Sequence, residues 1–184
     1  MERVVIFSDH ANNESSFRKL GIGIDYLGLR DYLGEGRTIV ENFVYVPISP
    51  FNPEGKKGFV DFLRRNGFLV RTKIGKPRQG NKYKCNFDVE IAIDVMRFAQ
   101  QGNVDIIVLA CGDGDMRRLC EEVRLCGVRC EIASTDESVA PELLEVASGY
   151  INLGAAIQQQ RQTDENNPNQ QVPLETVEQV NPVV

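Results

Sequence analysis

Apolar residues along this chain alternate between short β-branched runs and longer stretches at helical spacing. Val4-Val5-Ile6-Phe7 is such a run, ending at Ser8-Asp9, and reads as a buried strand. From Glu14 to about Leu33, the residues Phe17, Leu20, Ile24, Leu27 and Tyr32 recur near the helical period, predicting one helix that Gly21, Gly23 and Gly28 weaken. Thr38 to Val46 predicts a second strand, Gly58 to Asn66 a short helix closed by Gly67, and Phe68-Leu69-Val70 the start of a third strand. Arg71 to Lys84 mixes Gly75, Pro77, Gly80 and Asn81 with six basic residues, which predicts a mobile loop.

The second half repeats the alternation. Phe87 to Gln101 carries Ile91, Val95 and Phe98 on one helical face and stops at Gly102-Asn103. Val104 to Ala110 predicts a central strand, Asp115 to Cys126 a helix, Val128 to Ala133 a strand, Pro141 to Ala147 a helix, and Tyr150 to Leu153 a last short strand. Strands alternating with helices imply parallel β-α-β units, so the expected fold is a three-layer α/β/α sandwich around a mainly parallel sheet. Ligands of such sheets bind beyond the carboxyl ends of the strands. From Gln158 the chain is rich in Gln, Asn and Pro with few apolar residues, so the expected division is one domain over 1–157 and a disordered tail over 158–184.

Composition narrows the function classes. No apolar stretch approaches the roughly 18 residues of a membrane span, and the first residues lack a signal-peptide run, so the expectation is a cytoplasmic protein without a membrane partner. Five cysteines form no CxxC pair and His10 is the only histidine, which excludes a zinc site and predicts reduced thiols. His10 itself is expected in a loop. The net charge is −5, yet between Lys56 and Lys84 ten Lys or Arg face the single acid Asp61, a local charge of +9 that leaves −14 elsewhere. A basic strip beside acidic clusters suits a polyanionic ligand brought to a metal site.

The acids are placed to hold that metal. Asp9 ends the first strand, with Asn12 three residues on, and Asp113 and Asp115 follow the Val104–Ala110 strand in Cys111-Gly112-Asp113-Gly114-Asp115. If the two strands are neighbours, Asp9, Asp113 and Asp115 meet at one edge, where uncompensated carboxylates repel and a divalent cation removes the cost. Hard oxygen ligands without His or Cys favour Mg²⁺ or Mn²⁺. Asp88 and Asp94 sit on the Phe87–Gln101 helix, but six residues place them roughly 120° apart. Both can serve one site only if it lies over the helix start, with Asp94 reaching in from the side. Singly, each acid also reads as an ordinary cap or turn residue, and Asn12 or Asn13 as a helix cap.

Taken as an ordered set, these residues resemble the LabA-like NYN domain, within the PIN-like nuclease superfamily. The resemblance is carried by Asp9-x-x-Asn12 after an apolar strand, by Lys84-x-x-x-Asp88-x-x-x-x-x-Asp94 opening a helix, and by Leu109-x-x-Gly112-Asp113-Gly114-Asp115. Gly127-Val128-x-x-Glu131 and Tyr150-Ile151-Asn152-Leu153 add to it, so the likeness runs from about Arg3 to Leu153. Three positions depart from the pattern: Cys111 stands where Ser is usual, Met116 where Phe is usual, and Ser148 where an acid is expected.

The resemblance implies a PIN-like sandwich that binds Mg²⁺ or Mn²⁺ and hydrolyses RNA phosphodiester bonds, with single-stranded RNA as partner and a homodimer as an allowed assembly. Asp9, Asp88 and Asp113 are then the metal ligands. Asp115 and Asp94 are assigned to outer coordination or water positioning, Asp115 with a catalytic part. Asn12 is expected to hold Asp9 or a phosphate oxygen, and Lys73, Lys76, Arg78, Lys82 and Lys84 to bind substrate. A catalytically weak RNA-binding module with the same pocket is the alternative. A phospho-receiver or Toprim domain fits less well: Ala133-Ser134-Thr135-Asp136 supplies no lysine after the strand, and Asp9 stands where Toprim has Glu.

Overall fold

The computed structural model describes residues 1–154 and Ile157, so the tail expected over 158–184 lies outside the described residues. Six parallel strands form one sheet: β1 (Arg3–Asp9), β2 (Thr38–Ile48), β3 (Leu69–Ile74), β6 (Ile106–Ala110), β7 (Arg129–Ser134) and β8 (Gly149–Asn152). Two two-residue strands, β4 (Lys76–Pro77) and β5 (Tyr83–Lys84), make a separate antiparallel hairpin. The helices are α1 (His10–Lys19), α2 (Tyr26–Leu33), α3 (Lys57–Arg65), α4 (Asp88–Gln101), α5 (Arg117–Leu125) and α6 (Pro141–Leu144).

Period-two alternation decides which layer each strand residue serves. Val4, Ile6, Val44, Val46, Ile106 and Val108 pack with Phe17 of α1, Leu29 and Leu33 of α2, and Val60 and Leu63 of α3. Val5, Phe7, Phe43, Tyr45, Ile107 and Leu109 pack with Ile91 and Val95 of α4, Leu119 and Val123 of α5, and Leu143 of α6. Each buried side chain of this size stabilises the fold by roughly 1.5–3 kcal/mol, which is why the strand runs are apolar on both faces. The expected three-layer sandwich is therefore present. Among the described residues, no helix is long and apolar enough to cross a membrane.

The strand order is β3-β2-β1-β6-β7-β8. The chain steps outward from β1 to β2 and β3, returns through α4 to the other side of β1, and then steps outward again through β7 and β8. The winding direction thus reverses between β1 and β6. Loops diverge at such a reversal and leave a crevice at the strands' carboxyl ends.

Three sequence expectations change. The helix expected from Glu14 to Leu33 is two helices, because Gly21 takes φ +73° after α1 and Asp25 caps a new start by accepting from the Leu27 N–H at 3.0 Å. The expected loop from Arg71 to Lys84 is mostly ordered. β2 runs on to Ile48, so Arg71–Ile74 find ladder partners in Tyr45–Ile48, and the hairpin follows, turning through Gly80 at φ +74° and Asn81 at φ +56°. Gly75 is needed there because the Tyr83 ring occupies the space a β-carbon would take. His10 is no loop residue: it is the buried first residue of α1.

Candidate active site

The crevice between β1 and β6 collects four of the five predicted acids, Asp9, Asp88, Asp113 and Asp115. Asp9 ends β1 and serves as the N-cap of α1, its Oδ1 accepting from the N–H groups of Ala11 (3.0 Å) and Asn12 (3.3 Å). Asp113 follows β6 and caps a single 3-10 turn, Gly114–Met116, by accepting from the Asp115 N–H at 3.0 Å. Asp88 opens α4 and accepts from the Asn86 amide at 2.8 Å. Each cap uses one oxygen and leaves the other for a further ligand.

Their electrostatics tie them together. Burial, with the negative charges of Asp88 and Asp113 added, pushes the Asp9 carboxyl up to about 6 despite two stabilising N–H groups. Asp88 is also raised, first by burial and then by Asp113 and Asp115. Four acids from three separate chain segments therefore share one negative field. Among the described residues, no three His, Cys, Asp or Glu side chains already converge tightly enough to enclose an ion. The donors are hard carboxylate oxygens, the class that Mg²⁺ and Mn²⁺ prefer.

The loop bearing Asp113 is fixed from α1. Asn12 Oδ1 accepts from the Gly112 N–H at 2.9 Å, and Asn13 donates to the Ala110 carbonyl at 2.9 Å. Asn12 thus positions the Asp113 loop instead of holding Asp9. Asn13, considered only as a cap from sequence, is a second staple to the end of β6. Gly112 has no room for a side chain because the Ser138 carbonyl lies against it, and Ala140 N–H donates back to the Gly112 carbonyl at 2.9 Å. Cys111, at the position where Ser was expected, is buried against these acids. Its thiol is pushed well up by burial first and by Asp9 next, and Sγ accepts from the Asp113 N–H at 3.4 Å.

Asp94 does not join the cluster, which corrects its assignment to outer coordination or water positioning at the metal. Its carboxylate accepts from the Tyr45 hydroxyl at 3.0 Å, pairs with Arg71 at 3.1 Å and lies 3.6 Å from Arg97. Lys73, expected to bind substrate, is likewise committed: it pairs with Glu90 at 2.6 Å and donates to the Asn86 carbonyl at 3.2 Å. Arg71 and Lys73 therefore tie β3 to α4. Lys76, Arg78, Lys82 and Lys84 on the hairpin are exposed and form no ion pair among the described residues.

A third group borders the site. His10, next to Asp9, has Nδ1 at 2.9 Å from the Tyr26 hydroxyl and Nε2 at 2.8 Å from Lys56 Nζ. An ammonium can only donate, so Nε2 accepts and Nδ1 carries the proton. Burial and the Lys56 charge hold this imidazole neutral, well below its usual range. The only sequence signal for this cluster is that His10 directly follows Asp9.

The NYN domain model matches residues 3–154. The chain is 33% identical over 159 residues to low amplitude and bright protein LabA of Synechococcus elongatus, covering 82% of this chain and 83% of that one. Its fold is similar to a crystal structure of a protein of unknown function from Vibrio parahaemolyticus, with TM-score 0.71 and 23% identity over 83% of this chain and 93% of the other. A match across nearly all the described residues, with the acids at the same strand ends that carried the resemblance, places this chain in the NYN domain family as a LabA-like, PIN-related member.

Proposed function

We propose that the protein is a metal-dependent ribonuclease that hydrolyses RNA phosphodiester bonds at the β1/β6 crevice. The observation that supports this most directly is the mutual field of Asp9, Asp88 and Asp113. Three carboxylates drawn together at a topological switch point destabilise one another unless a cation or substrate charge compensates them. Asp9, Asp88 and Asp113 would hold Mg²⁺ or Mn²⁺. Such an ion lowers the pKa of an attacking water and offsets the charge developing on the phosphate.

The chain's own residues do the rest. Asn12 holds the Gly112–Asp113 loop at its height over β1. Asp115, beside Asp113 and within the field of Asp88, orients water from the outer side. Asp94 keeps α4 docked through Tyr45 and Arg71, so that Asp88 faces the crevice. Lys76, Arg78, Lys82 and Lys84 are available for phosphates of a single strand.

A second reading, an RNA-binding module that turns over slowly or not at all, is favoured by two observations. Among the described residues, no three ligand side chains converge on one point, and the one histidine is held neutral by burial and by the charge of Lys56. Labelled single-stranded RNA, single-stranded DNA and duplex, each incubated in Mg²⁺, Mn²⁺ or EDTA, separate the readings. Cleavage of RNA that needs metal and is lost in Asp113→Asn is the expected result. Tight RNA binding without cleavage supports the second reading, and neither binding nor cleavage overturns both.

A further inference from the structure

The β2–α3 loop carries an unexplained aromatic. β2 continues three residues beyond Tyr45, the register partner of Asp9, so its end at Ile48 stands about 10 Å past the level of Asp9. The loop from Ser49 to Lys56 starts there, at the carboxyl end of the strand next to β1. At its start, the Gly75 N–H donates to the Ile48 carbonyl at 2.9 Å, joining the loop base to the foot of the basic hairpin. At its end, Lys56 binds the His10 ring at 2.8 Å, one residue from Asp9. The loop is thus tied at one end to the phosphate-binding candidates and at the other to the acidic cluster.

Phe51, the third residue of this loop, has 50% of its surface exposed, and its N–H donates to the Ser49 hydroxyl at 3.2 Å. Ile74, the register partner of Ile48, is 62% exposed on the adjoining strand. Single exposed apolar residues are common on protein surfaces and need no cause. This pair differs in its setting, because Ile74 leads directly into the cationic hairpin and the loop that carries Phe51 ends at Lys56, which contacts His10 next to Asp9.

We propose that Phe51 is a stacking platform for a nucleobase of single-stranded RNA whose backbone lies along Lys76, Arg78 and Lys82 and enters the Asp9–Asp113 crevice. The proposal rests on the nuclease reading above and adds to it a specific strand state. A base can reach an aromatic face only when it is unpaired, so the platform selects single strands over duplex. Ile74, exposed on the strand paired with the base of the loop, adds apolar surface at the same end of the sheet. The Lys56–His10 contact anchors the end of this loop beside Asp9.

The test uses the full chain in EDTA, so that nothing is cut, with a short single-stranded RNA and a duplex of the same sequence. Phe51→Ala should weaken single-strand binding roughly tenfold, leave duplex binding unchanged, and leave the dependence on salt as in wild type. Lys76, Arg78 and Lys82 changed together to Ala should instead flatten the log K against log salt slope by about 2. The chain contains no Trp, so Phe51→Trp creates a single reporter, which should retain affinity and be quenched as RNA is added. Wild-type affinity in Phe51→Ala, an equal loss for duplex, or Trp emission that RNA does not change overturns the platform while leaving the nuclease reading intact. A wild-type protein that binds no RNA overturns both together.

Discussion

Asp88 and Asp94 lie about one and two-thirds turns apart on α4, and the protein treats them in opposite ways. Asp94 is buried with three partners: the Tyr45 hydroxyl, Arg71 and Arg97. Asp88 has one neutral donor, Asn86, and faces Asp113 and Asp115. A buried carboxylate that serves structure is matched by cations, whereas one kept among like charges is a cost to folding that a ligand must offset. Neighbours, not residue type or distance from the site in sequence, divide the two roles.

The largest expected difference is in catalysis. Asp9→Asn, Asp88→Asn and Asp113→Asn should each reduce RNA cleavage by about 10³-fold, on the order of 4 kcal/mol of transition-state stabilisation. Asp94→Asn, in protein that is still folded, should keep cleavage within about tenfold of wild type. Equal losses at Asp88 and Asp94 would erase the distinction, and single-turnover cleavage assays measure it.

Stability should reverse the order. Asp94→Ala strands the Arg71 guanidinium and the buried Tyr45 hydroxyl and should cost about 3 kcal/mol, at the low end for broken buried pairs because Arg71 is half exposed. Asp88→Asn should be neutral or stabilising without metal. Urea unfolding in EDTA gives both values, and a larger loss at Asp88 would contradict the assignment.

Divalent metal should act on one group only. At 100-fold excess over its dissociation constant, Mn²⁺ should stabilise wild type by about 2.7 kcal/mol, or several degrees of Tm. Asp94→Asn should keep that shift and Asp113→Asn should lose it. A wild-type melt unmoved by Mn²⁺ would remove the metal from the proposal.

The pH dependence of stability is the most gradual expected effect. Burial raises Asp9 in the folded protein from 3.8 to about 6, so the folded state holds its proton more tightly than the unfolded chain. Without metal, this group's contribution is most favourable below about pH 4 and is lost as pH rises through about 6, by roughly 3 kcal/mol in all, becoming flat about one unit above that. Asp9→Asn should abolish that component, and saturating Mn²⁺ should suppress it in wild type by favouring the ionised form. Unfolding curves from pH 4 to 7 in EDTA check the sign.

Much of this molecule is readable along the chain. The runs Val4–Phe7 and Ile106–Leu109 are apolar at every position because both faces of a parallel sheet are covered, and their ends announce Asp9 and Asp113 without knowledge of the fold. Capping chemistry is also local, which is why an Asp directly before a helix or turn is informative. The split of the first helical stretch was less clear, since three glycines weaken a helix without saying which one ends it. Only Gly21 of the three adopts a positive φ.

Only the tertiary structure decided which charges are spoken for. Arg71 and Lys73 look identical in kind to Lys76 and Lys82 in a basic stretch, but the ladder between β2 and β3 carries the first two over α4, where Asp94 and Glu90 pair with them. The hairpin carries the others away into water. Helical spacing could show that Asp88 and Asp94 point in different directions, but not that Tyr45 waits beneath Asp94 on a strand 49 residues away. Strand and helix identity follow from short-range pattern and burial. A side chain's protonation, pairing and availability to a ligand depend on groups within a few ångströms in space, and in this sheet the chain brings those groups together from distant segments.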